Sequence, residues 1–382
     1  MNIIFLNCTQ NYSYKFSAAN TKVEFLAKGL TEQENSCTIH NGIIGYSKIK
    51  HRTLRKETKI GNIITYPKKC TQLFSWIFNL PILVKDLKKL HNSHTQNWII
   101  LEAPDFHIFC LYIILARIYK YKIAVISHEW LPTIKSTHPI RKPLIKLYTK
   151  TFGYMVDCIL PISEFIIEHI QHFKKPYLKI PIIAEYDDLS IKNIIKRDFF
   201  LYCVYAAYTR VIYKIIDAFS LFHENEKKIK LILILSGTSQ QISIIQNYIH
   251  QKGLEDSIDI LHNIPYHQLF RLYQEALGLI IPLDPNSIQD HARFSQKIAE
   301  YLSSGTPIIS NNVGEIKYYF KDKQNIILCE YSTKGFAQVF SWIKNNPTKA
   351  KEIGISGYLT GLKQFNYKII CEKFNVFLKS LE

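Results

Sequence analysis

The chain has 382 residues, of which 47% are hydrophobic and 13% aromatic, so it can fill two apolar cores and is not a largely disordered protein. Its formal net charge is +17, and residues 1–200 hold 28 Lys and Arg against 15 Asp and Glu, an excess of 13. Such an excess favours an anionic partner, namely a membrane leaflet, a nucleic acid or a phosphorylated substrate. A solvated basic surface without any partner explains the charge equally well.

The cysteines and the apolar segments bear on the compartment. Eight cysteines lie singly along the chain without a C-x-x-C pair, which argues against a disulfide framework and a zinc site, and favours a reducing cytoplasm. The first ten residues lack the basic region of a signal peptide and predict a buried strand. No segment reaches the roughly 18 to 20 apolar residues of a spanning helix, since the nearest, 106–115, is followed by Arg117 and Lys120.

Short apolar strands alternate with helical patterns through the first half of the chain. The predicted strands are 2–6, 62–66, 98–101, 123–127 and 158–161, and the predicted helices are 22–30, 73–90 and 106–118. A basic helical pattern at 140–151 would cover the sheet or lie on a membrane surface. This alternation predicts a parallel sheet with helices on both faces.

Residues 176–198 contain two prolines and a cluster of charges, which predicts a linker before a second alternating series. In that series the strands are 199–204, 231–236, 257–261, 277–283 and 306–310, and the helices are 210–223, 240–250, 266–276 and 297–302. We therefore predict an α/β protein with two Rossmann-like domains, residues 1–185 and 186–382, facing a central cleft.

Three side chains stand where parallel sheets bind ligands. His128 follows the strand 123–127, at its carboxyl end. Arg210 opens the helix after strand 199–204, where its charge and the exposed N–H groups of the helix suit a diphosphate. Glu300 lies on helix 297–302 and can accept hydrogen bonds from both hydroxyls of a ribose, as the acidic residue of dinucleotide folds does.

Each of these side chains also has a plainer interpretation. The chain has 14 histidines, so one beside a strand is weak evidence by itself. Lys214, one turn beyond Arg210, could join it at a phosphate or simply face solvent. A surface ion pair for Glu300 has little support, because Lys297 is its only charged neighbour at helical spacing.

The run 292–310, ARFSQKIAEYLSSGTPIIS, resembles the donor-nucleotide motif of retaining GT-B glycosyltransferases of the family 4 type. In that motif a Glu, a turn with a Phe and a second Glu precede a Gly-x-Pro strand, and a familiar variant reads Arg-Phe-Pro-x-Lys-x-x-Glu-Tyr-Leu. Ser295 replaces the Pro of the variant, and Ala292 replaces the first Glu. The matching residues are Arg293, Phe294, Lys297, Glu300, Tyr301, Leu302, Gly305 and Pro307.

The resemblance implies a transferase of EC 2.4 type that moves a sugar from a nucleotide-diphosphate sugar to a hydroxyl acceptor, with retention and without a bound metal or other cofactor. It implies that His128 contacts the sugar, Arg210 the diphosphate and Glu300 the ribose. Asp284 or Asp290 could take over the sugar contacts of the missing first Glu. The residues implied to bind the donor are Arg210, Lys214, Gly237, Arg293, Phe294, Ser295, Gln296, Lys297, Glu300, Gly314 and Glu315.

The resemblance also has implications for the fold and the partners. The last helix, about 367–382, is expected to return to the first domain, and Tyr205 stands where the family has an Arg in its diphosphate loop. A lipid-linked or saccharide acceptor in bacterial polysaccharide or glycolipid biosynthesis is expected, with the protein in the cytoplasm or on the inner face of the membrane. No nucleic-acid partner is expected.

Two other classes of protein fit the same chain. A non-hydrolysing nucleotide-sugar epimerase shares the GT-B architecture, although the YLSSGTPIIS pattern does not favour it. A non-catalytic basic protein that binds a membrane or nucleic acid is the other, motivated by the charge of +17 and by Ala292 in place of Glu.

Overall fold

The structure is a computed structural model that describes residues 1–9, 12, 17–46, 49, 52–68, 75–102, 105–133, 141–186 and 195–381. The chain divides into two compact units. The first unit comprises Met1–Ala184, Ala292–Gln296 and Tyr367–Glu382, and the second comprises Glu185–His291 and Lys297–Asn366.

The first unit is a sheet with helices on both faces. Its strands are β1 Asn2–Leu6, β2 Ser36–His40, β3 Leu54–Thr58, β4 Gly61–Thr65, β5 Asn97–Leu101, β6 Lys122–Ser127 and β7 Cys158–Pro161. Its helices are α1 Ala18–Thr31, α2 Ser75–Leu90, α3 Phe106–Ile118, α4 Arg141–Met155, α5 Glu164–Ile170 and the last helix of the chain, Tyr367–Ser380. The strand order is β3-β4-β2-β1-β5-β6-β7, and all neighbours are parallel except β3 and β4.

The order of the strands decides which face each helix covers. The chain runs from β1 to β2 in one direction and from β4 through β5 and β6 to β7 in the other. Because parallel crossovers are right-handed, α1 covers one face of this sheet, and α2, α3 and α4 cover the opposite face. The helix Tyr367–Ser380 packs against α1, within the same unit.

The sequence pattern predicts the central strands β1 and β5 but not the strands β2 and β3. All five residues of β1 and of β5 are buried, as expected for strands covered on both faces. The sequence pattern does not predict β2 and β3. In β2 the polar Thr38 and His40 are buried, and β3 is a largely exposed edge strand, so neither carries an apolar run.

The second unit is also a parallel sheet, with the order β10-β9-β8-β11-β12-β13. Its strands are β8 Phe199–Tyr205, β9 Lys230–Ser236, β10 Ile258–Leu261, β11 Gly278–Ile281, β12 Ile308–Ser310 and β13 Ile327–Leu328. Its helices are α6 Thr209–His223, α7 Ser239–Gln251, α8 Tyr266–Glu275, α9 Ile288–Ala292, α10 Gln296–Ser303, α11 Ile316–Tyr319, α12 Thr333–Asn345 and α13 Pro347–Gln364. The last helix of the chain, Tyr367–Ser380, is therefore α14. Ala292, the last residue of α9, and Gln296, the first residue of α10, belong to the first unit.

The predicted α/β fold with two Rossmann-like units is confirmed. Some predicted segments lie outside the described residues, and some observed elements were not predicted. The predicted linker 176–198 lies partly outside the described residues, as do residues 73–74 and 140 of the predicted helices. Besides β2 and β3, the elements α5, α9, α11, β13, α12 and α13 are additional to the prediction. No helix in the described part of the chain is both long enough and apolar enough to cross a membrane.

Candidate functional site

The carboxyl edge of the first sheet brings three polar residues together. The strand order of this sheet reverses between β1 and β5, and open parallel sheets bind ligands at such a point. Asn7 follows β1 and Glu102 follows β5, and the Asn7 Nδ2 donates to the Glu102 carbonyl oxygen at 2.6 Å. His128 follows β6, and its Nδ1 lies 3.2 Å from Glu102 Oε2.

The contact with Glu102 determines which ring nitrogen of His128 can accept a hydrogen bond. With Nδ1 donating to the carboxylate, the neutral ring has its free lone pair on Nε2. This Nε2 is buried and has no hydrogen-bond partner among the described residues. His128 is therefore set up to accept a hydrogen bond from a hydroxyl group of a ligand.

Lys22 adds a buried cation to this unit. It lies on α1 with 2% of its surface exposed, and its Nζ donates to the Ile180 carbonyl at 2.8 Å. Burial lowers its pKa to about 7, and the charge of Glu102 opposes that shift. Sequence reasoning misses Glu102 and Lys22. Glu102 directly follows a predicted strand, the same signal that selects His128, whereas no pattern marks Lys22.

In the second unit, the strand order reverses between β8 and β11. After β8 the chain enters α6 at Thr209, and Arg210 lies exposed in its first turn, where helix N–H groups also point outward. Tyr205, in the position of the family Arg, is 44% exposed, and its ring centroid lies 6.3 Å from that of Tyr208. Arg210 is thus an exposed cation at the switch point, two residues after the exposed Tyr208.

Lys214 does not simply face solvent. It is half-buried, and its ammonium lies 4.7 Å from the centroid of the Tyr331 ring. Burial, aided by the charges of Asp284 and Asp290, raises the pKa of Tyr331 to about 12. Tyr331 thus lies next to the Lys214 ammonium and within the electrostatic reach of the acidic loop that follows β11.

The two aspartates of that loop make turn contacts. Asp290 Oδ2 accepts a hydrogen bond from the Asp284 N–H at 3.0 Å, and Asp284 Oδ1 accepts one from the Asn286 N–H at 2.9 Å. These are the local backbone bonds that Asp commonly makes in turns.

The first half of the donor motif belongs to the first unit, where side chains hold its backbone. The Ser163 hydroxyl donates to the Ala292 carbonyl at 2.5 Å. The side-chain amide of Gln296 exchanges two hydrogen bonds with the backbone of Ile183, one of them at 3.2 Å. Gln296 and the buried Phe294 thus stabilise the turn, while Arg293 and Ser295 have partly exposed side chains.

Glu300 lies on α10, where Ile298, Tyr301 and Leu302 are buried as the helical spacing predicts. Its own side chain is 4% exposed, and burial raises its pKa to about 7, opposed by the charge of Lys297. A carboxyl group is left with such a pKa when few hydrogen-bond donors stabilise its charge. Two ribose hydroxyls would supply such donors, and strongly perturbed groups of this kind concentrate at functional sites.

At this edge of the second sheet, two glycines allow loop backbone to lie close to neighbouring atoms that a larger residue would displace. Gly237 follows β9 with φ +150°, and a Cβ there would lie 2.9 Å from Gln241 Oε1. Gly314 has φ +58°, and a Cβ there would lie 2.5 Å from the Asp290 carbonyl oxygen. The next residue, Glu315, is buried at the start of α11. These positions shape the loops after β9 and β12.

Among the described residues, no group of three or more His, Cys, Asp or Glu side chains is placed to hold a metal ion. The seven cysteines that the structure describes are all free.

The two units have the fold of the GT-B glycosyltransferases, and a segment of the chain matches a glycosyltransferase family. Residues 190–360 match the family of Glycosyl transferases group 1, and this segment contains Arg210, Lys214 and Glu300. The prediction of a glycosyltransferase family domain and of the GT-B fold is confirmed at this level.

The chain is also similar to individual proteins, over part of its length in sequence and over its whole length in fold. The alpha-1,3/1,6-mannosyltransferase ALG2 of Dictyostelium discoideum is 24% identical over 181 residues, which cover 44% of this chain and 42% of that relative. The sucrose-phosphate synthase of Thermosynechococcus elongatus has a TM-score of 0.74 at 14% identity, over 100% of this chain and 98% of its own. Anabaena HepE in complex with UDP has a TM-score of 0.71 at 11% identity, over 100% of both chains.

Proposed function

We propose that this protein moves a sugar from a nucleotide-diphosphate sugar to a hydroxyl group of an acceptor, with retention of the anomeric configuration. One observation carries the proposal. The segment that matches Glycosyl transferases group 1 holds Arg210 and Lys214 beyond β8, and the buried carboxyl group of Glu300 on α10. Retention is inferred from the resemblance of residues 292–310 to the family 4 motif.

The residues of the second unit would act on the leaving group. As the bond between the sugar and the diphosphate breaks, negative charge grows on the phosphate oxygen. Arg210, Lys214 and the N-terminus of α6 are cationic or partly positive groups that can stabilise this charge without a metal. Anabaena HepE is described in complexes with UDP and with UDP and glucose, which supports a donor of the same chemical class here.

The resemblance to family 4 also supports roles for Glu300 in the second unit and for His128 in the first. The Glu300 carboxylate would accept hydrogen bonds from the ribose hydroxyls. His128 Nε2 would accept one from a hydroxyl of the sugar, because Glu102 engages the other ring nitrogen. Arg293, Ser295 and the backbone around Gln296 would contact the phosphates or the sugar.

We infer an acceptor that is lipid-linked or a saccharide, used in bacterial polysaccharide or glycolipid biosynthesis. We also infer that the protein works in the cytoplasm, on the inner face of the membrane. The excess of 13 positive charges in residues 1–200 supports this location, because anionic leaflets attract such surfaces.

The variants Arg210→Ala and Glu300→Ala test the proposal. We expect each to lower transfer by roughly a hundredfold or more, as removal of a preorganised transition-state contact does. The unfolding temperature should stay close to that of the wild type for Arg210→Ala, since Arg210 is exposed. Lys228→Ala, at an exposed position of the same unit, is the control. Near wild-type turnover in both variants would refute the assignment.

A thermal-shift panel of nucleoside diphosphates and nucleotide-sugars identifies the donor. A ligand that binds only the folded protein at a concentration of about a hundred times its Kd stabilises it by about 2.7 kcal/mol. We expect one nucleotide to raise the unfolding temperature of the wild type and to leave that of Arg210→Ala unchanged. Incubation of that nucleotide-sugar without an acceptor then separates the two enzyme classes, because only an epimerase converts it.

A further inference from the structure

The outer side of α2, α3 and α4 carries a distinctive combination of side chains, and we call it the basic-apolar face. These helices have 16, 13 and 15 residues and contain a single acidic residue, Asp86. Asp86 is buried and accepts hydrogen bonds from the Tyr66 hydroxyl at 2.7 Å and from Arg55. Within these three described helices, therefore, no exposed side chain is acidic.

Six large apolar side chains on this face are exposed to solvent. Their exposed fractions lie between 45% and 63%. Each helix contributes two of them, so they are spread over the face and do not form a single groove. They are Ile77, Phe78, Ile114, Ile118, Leu147 and Tyr154.

Exposed lysines lie between these apolar groups. On α4 the spacing of Lys142, Lys146 and Lys150 places them on one side of the helix, together with Leu147 and Tyr154. On α2 the corresponding exposed cations are Lys85, Lys88 and Lys89. Lysine stems can lie along apolar surface while their ammonium groups reach outward.

The three helices present these side chains in the same direction. The right-handed crossovers place α2, α3 and α4 on one face of the first sheet. The rings of Phe109 on α3 and Tyr148 on α4 lie 5.0 Å apart, so these two helices pack side by side. The Tyr121 hydroxyl, just after α3, donates to the Leu87 carbonyl of α2 at 2.8 Å. The exposed groups therefore form one surface on one unit.

We propose that the basic-apolar face docks the protein on an anionic lipid bilayer. Apolar surface exposed to water is unfavourable in proportion to its area, and insertion of these side chains into the headgroup region removes that area from water. Lysines between them meet the phosphates of anionic lipids. A nucleic acid has no apolar layer for Ile114, Ile118 and Leu147, so it matches only half of the surface.

This inference deepens the membrane association proposed above, and it is tested without any transfer assay. A failure of vesicle binding would overturn the docking face while the thermal-shift result for nucleotides stands, and a protein that binds vesicles but no nucleotide would overturn only the transferase proposal. The two outcomes are therefore distinguishable.

The electrostatic part is tested with the variant Lys142→Gln/Lys146→Gln/Lys150→Gln in flotation with vesicles of equal parts phosphatidylcholine and phosphatidylglycerol. Each lysine near an anionic surface contributes roughly fivefold to partitioning, so we expect binding to fall at least tenfold. The control is Lys227→Gln/Lys228→Gln/Lys349→Gln, which removes the same charge from exposed positions of the second unit. We expect the control to bind like the wild type. Equal binding by both variants, or no binding by the wild type at low salt, contradicts the proposal.

The apolar part is tested with Ile114→Ser/Ile118→Ser/Leu147→Ser. Because salt screens charge but not insertion, the wild type should keep part of its vesicle binding at high salt, and this variant should lose that part. All three positions are exposed, so the unfolding temperature should not fall. Duplex DNA provides the third arm. If DNA binds as tightly as anionic vesicles and the lysine variant loses both equally, the face belongs to a nucleic acid and the proposal fails.

Discussion

Glu300 illustrates how burial changes the properties of a side chain that sequence alone identifies. Its pKa of about 7 lies above the ordinary value of 4.5 because the carboxyl group is removed from water. A raised carboxyl pKa means that the folded protein binds the proton more tightly than the unfolded chain does. This contribution to stability is fully present below pH 4.5 and is lost as the pH rises toward 7.

The change Glu300→Gln should therefore stabilise the ligand-free protein at pH 8. The difference between 4.5 and about 7 corresponds to about 3 kcal/mol. We expect the variant to unfold several degrees above the wild type at pH 8, to show little of this gain at pH 5, and to have lost the nucleotide-induced shift. Differential scanning fluorimetry at both pH values measures this, with the exposed Glu129→Gln as control. A gain that is equal at both pH values would indicate better packing and not the removal of a charge.

Glu102 is a residue whose proposed role depends entirely on its contact with His128. It holds His128 Nδ1, so Glu102→Gln should weaken the preference for the tautomer with an acceptor at Nε2. We expect kcat/KM for transfer to fall about tenfold or more, as loss of an orienting partner of a histidine commonly does. The structural readout is the ¹⁵N NMR spectrum of the histidine rings, with the His128 signals assigned by difference against His128→Gln.

The matched control for that experiment is Glu129→Gln, which removes the same charge one residue beyond His128, at an exposed position. Glu129→Gln should leave both the spectrum and kcat/KM unchanged. If Glu102→Gln and Glu129→Gln reduce activity equally with no change in the tautomer, Glu102 does not position the histidine.

At the scale of elements, helix α13 contains a glycine that packing requires, although helix propensity disfavours it. Gly354 lies in the middle of α13 and is buried, and a Cβ there would lie 2.8 Å from the Pro307 backbone N, just before β12. Glycine is the poorer helix former by about 1 kcal/mol, so propensity alone predicts that alanine would stabilise this helix. The close approach of backbone to backbone reverses that expectation, since neither side can yield cheaply.

We therefore expect Gly354→Ala to destabilise the second unit by about 2 kcal/mol, measured as a lower unfolding temperature. Ser356→Ala, two residues along the same helix and half-buried, should be neutral or slightly stabilising. An increase in stability for Gly354→Ala would mean that α13 can move away from Pro307, and the packing described above would then be wrong.

Strands differ in how far the sequence predicts them, and burial explains the difference. β1, β5 and β6 are covered by helices on both faces and therefore appear as continuous apolar runs. β3 is an exposed edge strand whose sequence, LRKET, is set by its contact with water. β2 escapes prediction for another reason. It buries His40, whose Nδ1 accepts a hydrogen bond from the Gly42 N–H at 3.0 Å. No hydrophobic pattern in the sequence predicts such a buried polar residue.

At the scale of the whole molecule, the two units are not two halves of the sequence. The segment Ala292–Gln296 and the last helix, α14, belong to the first unit although they come late in the chain. The donor motif is thus divided, because Ser163 and Ile183 hold its first half and the second half belongs to the second unit. A single cut in the sequence near residue 185 does not capture this arrangement.

The sequence by itself determined the α/β class, the succession of the main strands along the chain and the glycosyltransferase resemblance, because these depend on local periodicity and on short runs such as 292–310. It also selected His128, Arg210 and Glu300, since each lies next to a predicted strand or on a predicted helix. Only the tertiary structure decided which groups meet them. The contact of Glu102 with His128, the position of Lys214 against Tyr331 and the single basic-apolar face all join residues distant in the chain. Burial acts in the same way, since the pKa of Glu300 depends on everything packed around α10.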